Sequence, residues 1–86
     1  MKHTGKKKYN QAFGLHLKRL RLSKNITQEK LSEKSGVSTS HISRIERGEK
    51  GVRVTTIRDL AIGLKVHPKD LVDFKFELPA EVLGRF

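Results

Sequence analysis

"TQEKLSEKSGVSTSHISRIERG", residues 27–48, decides how the rest of the chain is read. It holds two short polar helical patterns joined by a glycine. Thr27 can N-cap a helix from Gln28 to Ser35, because its side-chain oxygen can accept a free backbone N–H of the first turn. Leu31 anchors that helix, and Gly36 stops it, since glycine takes a positive φ at little cost. Ser38 then caps a third helix running to about Arg47, which Gly48 ends. Leu31, Val37, Ile42 and Ile45 are the only large apolar residues in these 22 positions. Helices that bury so narrow a stripe keep their other faces for something else.

At about 100° per residue, Ile42 and Ile45 define the buried direction of the third helix. The opposite side collects Ser40, Ser43, Arg44 and Arg47, with Thr39 near its boundary. That face carries no acid and no large apolar group. Short hydroxyls let a helix sit close to a surface, and arginine presents a planar fork of donors. These groups suit base edges in a major groove, where arginine pairs with guanine and Ser or Thr with several edges. Two short helices about a glycine turn, the second polar and basic outward, form a helix-turn-helix arrangement.

Outward from this stretch, Phe13, Leu17 and Leu20 recur at helical spacing and predict a first helix over Gln11–Lys24, with Leu15 and Leu22 on its opposite side. Lys24 and Asn25 break it. After the loop 49–54, Ile57, Leu60, Ala61 and Leu64 fit a fourth amphipathic helix. Pro68 suits the first turn of a short fifth helix through Leu71 and Val72. Phe74, Phe76 and Leu78 alternate with Lys75 and Glu77, the pattern of a short strand or extended tail, which Pro79 ends. The fold class is all-α: five helices with a short extended C-terminal tail. The divisions are a flexible basic arm over 1–10, the helix-turn-helix domain over 11–74, and a tail over 75–86.

The 86 residues suit one small core, and the absence of cysteine removes disulfides and thiolate metal sites as supplements. His3, His16, His41 and His67 are scattered without metal spacing, and solvent-exposed or capping roles are expected of them; no metal or other cofactor is expected. The net charge is +10, with 19 Lys and Arg against 9 Asp and Glu. Residues 1–28 hold eight basic residues and no acid, residues 1–65 sum to +11, and residues 66–86 to −1. A basic body with a near-neutral end presents one face to a polyanion and another to something else. No run has the length of a membrane span and the start lacks a secretory apolar core, so a cytoplasmic location is expected.

"LKRLRLSKNITQEKLSEKSGVSTSHISRIERG", followed by "TTIRDLAIGLKVHPKDLVDF", closely resembles the Cro and phage-repressor type of helix-turn-helix domain, the XRE family, over roughly residues 13–74. The resemblance implies a five-helix, lambda-repressor-like domain that binds operator DNA, usually as a homodimer. By position, Gln28 resembles the family's glutamine that bonds phosphate and braces the recognition helix. Thr39, Ser40, Ser43 and Arg44 fall where base-reading side chains lie, with Ser38 near a phosphate and Lys50 and Arg53 in a loop that often touches backbone. Arg21 and Glu46 match a structural ion pair. Their wheels agree, because each lies about 70° from the centre of its own apolar stripe. Ser32 departs from a usual alanine, and Lys65 replaces a common glycine after the fourth helix, where a strained or differently shaped turn is expected.

The function expected is a sequence-specific regulator of transcription that binds double-stranded DNA. The alternative is an antitoxin whose main partner is a toxin protein, a role that Leu15, Leu22 and Ile62 would serve equally well. A basic membrane-surface or RNA-binding module would need bulky apolar residues or stacking aromatics on the basic face, and none lies there. An enzyme is not expected: no Ser-His-Asp grouping and no phosphate loop can be assembled, and Glu29 and Glu33 read as solvated partners of Lys30 and Lys34. The apolar residues of the C-terminal end are expected to be covered either by the tail folding back within one chain or by its crossing to a partner; a homodimer is favoured, with Ile62, Leu71, Phe74 and Phe76 as its supporting residues.

Overall fold

The computed structural model of the chain describes residues 6–76. In chain order its helices are α1 (Lys6–Ser23), α2 (Gln28–Ser35), α3 (Thr39–Glu46), α4 (Val54–Leu64) and α5 (Pro68–Leu71). Both central caps form as the sequence requires. Thr27 Oγ1 accepts the Lys30 N–H at 3.0 Å, and Ser38 Oγ accepts the His41 N–H at 3.1 Å. Each such cap is worth about 1 kcal/mol. Gly36 closes α2 at φ 79°, its N–H bonded to the Ser32 carbonyl at 2.9 Å. At α5, His67 Nδ1 accepts the Lys69 N–H at 3.1 Å, while the Asp70 carboxylate accepts the His67 N–H at 3.2 Å. The capping role expected of a histidine is met there.

Two helix ends place a non-glycine residue in the left-handed region. Asn25 (φ 56°) follows α1 and Lys65 (φ 59°) follows α4. Asparagine visits that region readily; lysine does so at a cost of about 1–2 kcal/mol. The Val66 N–H bonds back to Ala61 and the Lys65 N–H to Ile62, so the carbonyls of α4 are satisfied despite the strain. Lys65→Gly should therefore stabilise the domain by about 0.5–1 kcal/mol, the relief less the added freedom of the unfolded chain. The melting temperature should rise by a few degrees in a calorimetric scan. No rise would show that the lysine turn carries no strain.

The core gathers Phe13 and Leu17 from α1, Leu31 from α2, Val37 from the turn, Ile42 and Ile45 from α3, Leu60, Ala61 and Leu64 from α4, and Leu71 from α5. Burying each large aliphatic side chain contributes about 1.5–3 kcal/mol. Helix α1 lies on α3, and α4 is packed between α2 and α5. Contact of α1 with α3 is backbone-close at Gly14, where a Cβ would stand 2.8 Å from the Glu46 carbonyl oxygen and overlap that of Ile45.

Several expectations change. Helix α1 starts at Lys6, so residues 6–10 of the expected flexible arm are helical; residues 1–5 lie outside the described part. The first helix also ends at Ser23, one residue before the expected limit. Val72 caps α5 and is exposed, leaving Leu71 as the buried residue of that turn. Phe74 and Phe76 are in no strand among the described residues. They fold back on α1, with ring centroids 5.3 Å and 4.8 Å from Tyr9. Leu78 lies outside the described residues.

Candidate nucleic-acid interface

Helix α3 buries Ile42 and Ile45 completely, which turns Ser40 and Arg44 to solvent and leaves Thr39 and Ser43 half-buried at the edges. Ser40 and Arg44 make no side-chain hydrogen bond or ion pair among the described residues. Their donors are open to an incoming group. Ser38, exposed at the start of α3, spends an oxygen lone pair on its cap and keeps its O–H to donate. Lys50 and Arg53 are exposed in the loop between α3 and α4, and Arg53 precedes α4 without a side-chain cap bond.

Behind this face lies a polar joint. Glu46 accepts Arg21 Nε at 2.7 Å on one oxygen and Arg21 Nη2 at 3.0 Å on the other. The remaining guanidinium edge donates to the Ile26 carbonyl at 2.8 Å. Gln28 Nε2 adds a bond to Glu46 Oε1 at 3.0 Å. Side-chain exposures of only 8% for Arg21 and 4% for Glu46 make this a buried, bidentate pair. The bond to Glu46 holds the Arg21 guanidinium above its ordinary pKa, outweighing the opposing effect of burial. The pair that the family resemblance implied, and with which the wheels agree, is therefore formed. Gln28 reaches Glu46 as well, tying the first turn of α2 to the last turn of α3.

The C-terminal end of α3 differs from the face read on the wheel. Arg47 donates through Nε to Glu49 at 2.8 Å and through Nη2 at 3.2 Å, and its Nη1 donates to Ser43 Oγ. Two of the candidate residues, Ser43 and Arg47, are thus bonded to each other, and an acid stands beside a face expected to have none. Glu49 escaped the wheel because it follows Gly48, where helical geometry ends. The bond to Arg47 holds the Glu49 carboxyl below its ordinary pKa of 4.5. A depressed carboxyl contributes above that ordinary value, so the contact is intact at neutral pH and is lost as acid drives Glu49 through its lowered pKa. Both partners are half-exposed, so the pair is one a phosphate can displace.

Leu15, Leu22 and Ile62 are exposed as their wheels required. Leu71 is fully buried, and Phe74 and Phe76 are half-covered by the chain's own α1, so the described part of the tail takes the fold-back arrangement and these three are not left free to support a dimer contact. His16 Nε2 donates to the Asp70 carbonyl at 2.7 Å and links α1 to α5, an internal role the sequence did not reveal. No helix among the described residues is long and apolar enough to cross a membrane.

A helix-turn-helix family model matches residues 17–71. Control protein C.BamHI of Bacillus amyloliquefaciens is 43% identical over 63 residues, covering 72% of this chain and 78% of that protein. The transcriptional repressor RghR of Bacillus subtilis is 44% identical over 57 residues, 65% of this chain and 42% of its own length. The crystal structure of the restriction-modification controller protein C.AhdI from Aeromonas hydrophila superposes with a TM-score of 0.70 at 35% identity, covering 72% of this chain and 94% of that one. With the five-helix order, the capped turn and the Arg21–Glu46 joint already in place, these matches agree with the architecture. The chain belongs to the XRE-type helix-turn-helix family of DNA-binding transcriptional regulators.

Proposed function

We propose that α3 enters the major groove of a specific operator, with Thr39, Ser40, Ser43 and Arg44 at the base edges. Ser38, Arg47, Lys50 and Arg53 flank it on phosphates, and Gln28 braces α3 while reaching the backbone. The observation that carries this reading is the bond-free donor face of Ser40 and Arg44 on a helix whose other side is locked into the core. A face evolved only for solvation would more often pair its cations with acids at helical spacing. The regulatory setting proposed is control of transcription in the cytoplasm; C.BamHI is named a control protein and C.AhdI a restriction-modification controller protein. Neither those names nor that of RghR carries a toxin partner, and the antitoxin alternative gains no support from them.

The protein is further proposed to act as a homodimer, since a two-fold pair presents two recognition helices about 34–36 Å apart, one turn of DNA. Support comes from Leu22 and Ile62, large apolar residues 52% and 55% exposed. Ile62→Lys should then give a monomer by sedimentation; a variant that sediments with the wild-type mass would remove Ile62 from the contact.

Arg44 is the long donor at the middle of the face, so Arg44→Ala should remove base discrimination of about 1–3 kcal/mol. Lys50→Ala should instead weaken all duplexes alike and flatten the log–log salt dependence by about one. Fluorescence titrations on a preferred and a random duplex separate the two effects. An Arg44→Ala protein that keeps the wild-type preference would make Arg44 a phosphate contact and shift the register of α3.

A further inference from the structure

Helix α1 begins in a run of three lysines, Lys6 to Lys8, with no apolar periodicity to hold it. Tertiary contacts on two sides of its first turns account for this. On one side, Asn10 and Gln11 pack against the loop after α3: a Cβ on Gly48 would stand 2.7 Å from the Gln11 Cα, and one on Gly51 would stand 3.5 Å from Asn10 Oδ1. Lys6 and Lys7 then line one open cleft with Asn10, Gly48 and Glu49. On the other side, Tyr9 lies under the C-terminal segment. The Phe76 ring meets Tyr9 edge-on, and Phe74 touches Tyr9, Phe13 and His16, with ring centroids 5.3–6.1 Å apart.

We propose that this aromatic staple is a positioning element of the DNA interface: Phe74 and Phe76, closing on Tyr9, hold the first turn of α1 so that Lys6 and Lys7 reach the phosphate strand running past Lys50. The inference rests on the proposed docking of α3. The occupant is the same duplex, for two reasons. The cleft is lined in part by the α3–α4 loop at Gly48 and Glu49, and it sets two cations, Lys6 and Lys7, against the single carboxylate of Glu49, so its lining is net positive. The C-terminal segment thereby acts on affinity without touching DNA. Tyr9, Phe74 and Phe76 are positioning residues, and Lys6 and Lys7 are the contacts.

The test compares wild type, Lys6→Ala/Lys7→Ala, Tyr9→Ala and Tyr9→Phe on a random-sequence duplex and on a selected site across salt concentrations. Amide exchange of residues 6–12 is followed in parallel. Losing two phosphate contacts should shrink the log–log salt slope by about 1.8 per protomer in the lysine variant, with sequence preference unchanged. Tyr9→Ala should reproduce that smaller slope and lose protection in residues 6–12 while α3 stays protected. Tyr9→Phe should restore both, because the contact is between rings. A lysine variant with the wild-type slope, or a Tyr9→Ala protein that keeps it, overturns the proposal. A wild-type protein that binds no duplex at all overturns the docking of α3 itself, and this inference with it.

Discussion

Arg21→Ala should destabilise the domain by about 3–5 kcal/mol, because it leaves the Glu46 carboxylate buried with only Gln28 as a partner. A domain of this size has roughly 5–15 kcal/mol in all, so the variant sits close to unfolding. Glu46→Ala should cost a similar amount by stranding the guanidinium. Replacing both, Arg21→Ala with Glu46→Ala, should cost less than the sum of the single changes, since neither charge is left stranded. Urea midpoints of the four proteins measure the coupling. Strictly additive losses would mean that the pair contributes nothing as a pair. The sign of its pH dependence follows from Arg21, whose pKa is raised: its contribution is complete at every pH below the already high ordinary value for arginine, so Arg21 itself loses nothing across neutral and mildly alkaline conditions.

Gly14→Ala is expected to be nearly as damaging, at about 3 kcal/mol. The new methyl group meets backbone, the Glu46 carbonyl at 2.8 Å and the Ile45 carbonyl closer still, and no side chain can rotate to make room. Helices α1 and α3 must separate, which opens the contact around Leu17 and Ile45 and misaligns Arg21 with Glu46. Alanine's better helix propensity, worth about 1 kcal/mol, would stabilise the variant if there were space. The two effects have opposite signs, so a thermal melt decides between them. A Gly14→Ala protein as stable as wild type would mean that α1 and α3 do not approach this closely.

These two sites differ in how far they could be read beforehand. Arg21 and Glu46 were legible because each is set by its own helix: both sit at the edge of an apolar stripe, and the match to the family named the pair. The caps Thr27 and Ser38 were legible for a similar reason, since a hydroxyl followed by a short apolar pattern needs no tertiary information. Gly14 carried no such sign. Its role depends on which helix crosses it, a fact of packing and not of periodicity. The start of α1 was missed on the same ground, because lysines at 6–8 look like a solvated arm until Tyr9 meets Phe74 and Phe76 from the far end of the chain. Alternation at Phe74 and Phe76 left a short strand and an extended tail both open; the segment is in no strand, and its two rings close on one tyrosine.

On the candidate interface, solvent exposure follows the wheel where the helix is regular and departs from it one residue past its end. Ser40 and Arg44 face solvent as the wheel requires, while Arg47 is drawn to Glu49 beyond Gly48. The fifth helix, expected through Leu71 and Val72, ends at Leu71 with Val72 as its exposed C-cap, because α5 is a single turn, too short for periodicity to fix its end or its buried side. Lys65 stands where a glycine is common, and it takes the left-handed conformation that glycine supplies.

The proposed function depends on sequence reading in duplex DNA by α3. It is tested most directly by selecting bound duplexes from a random pool at about 0.15 M salt, where charge alone is largely screened. The expected result is enrichment of one sequence, arranged as two half-sites one helical turn apart and bound at least about a thousandfold more tightly than the starting pool. With Arg44→Ala the preference at one or two positions of each half-site should relax while the spacing is kept. A selection that returns no sequence above the pool, or binding that vanishes with salt equally for every duplex, would contradict it.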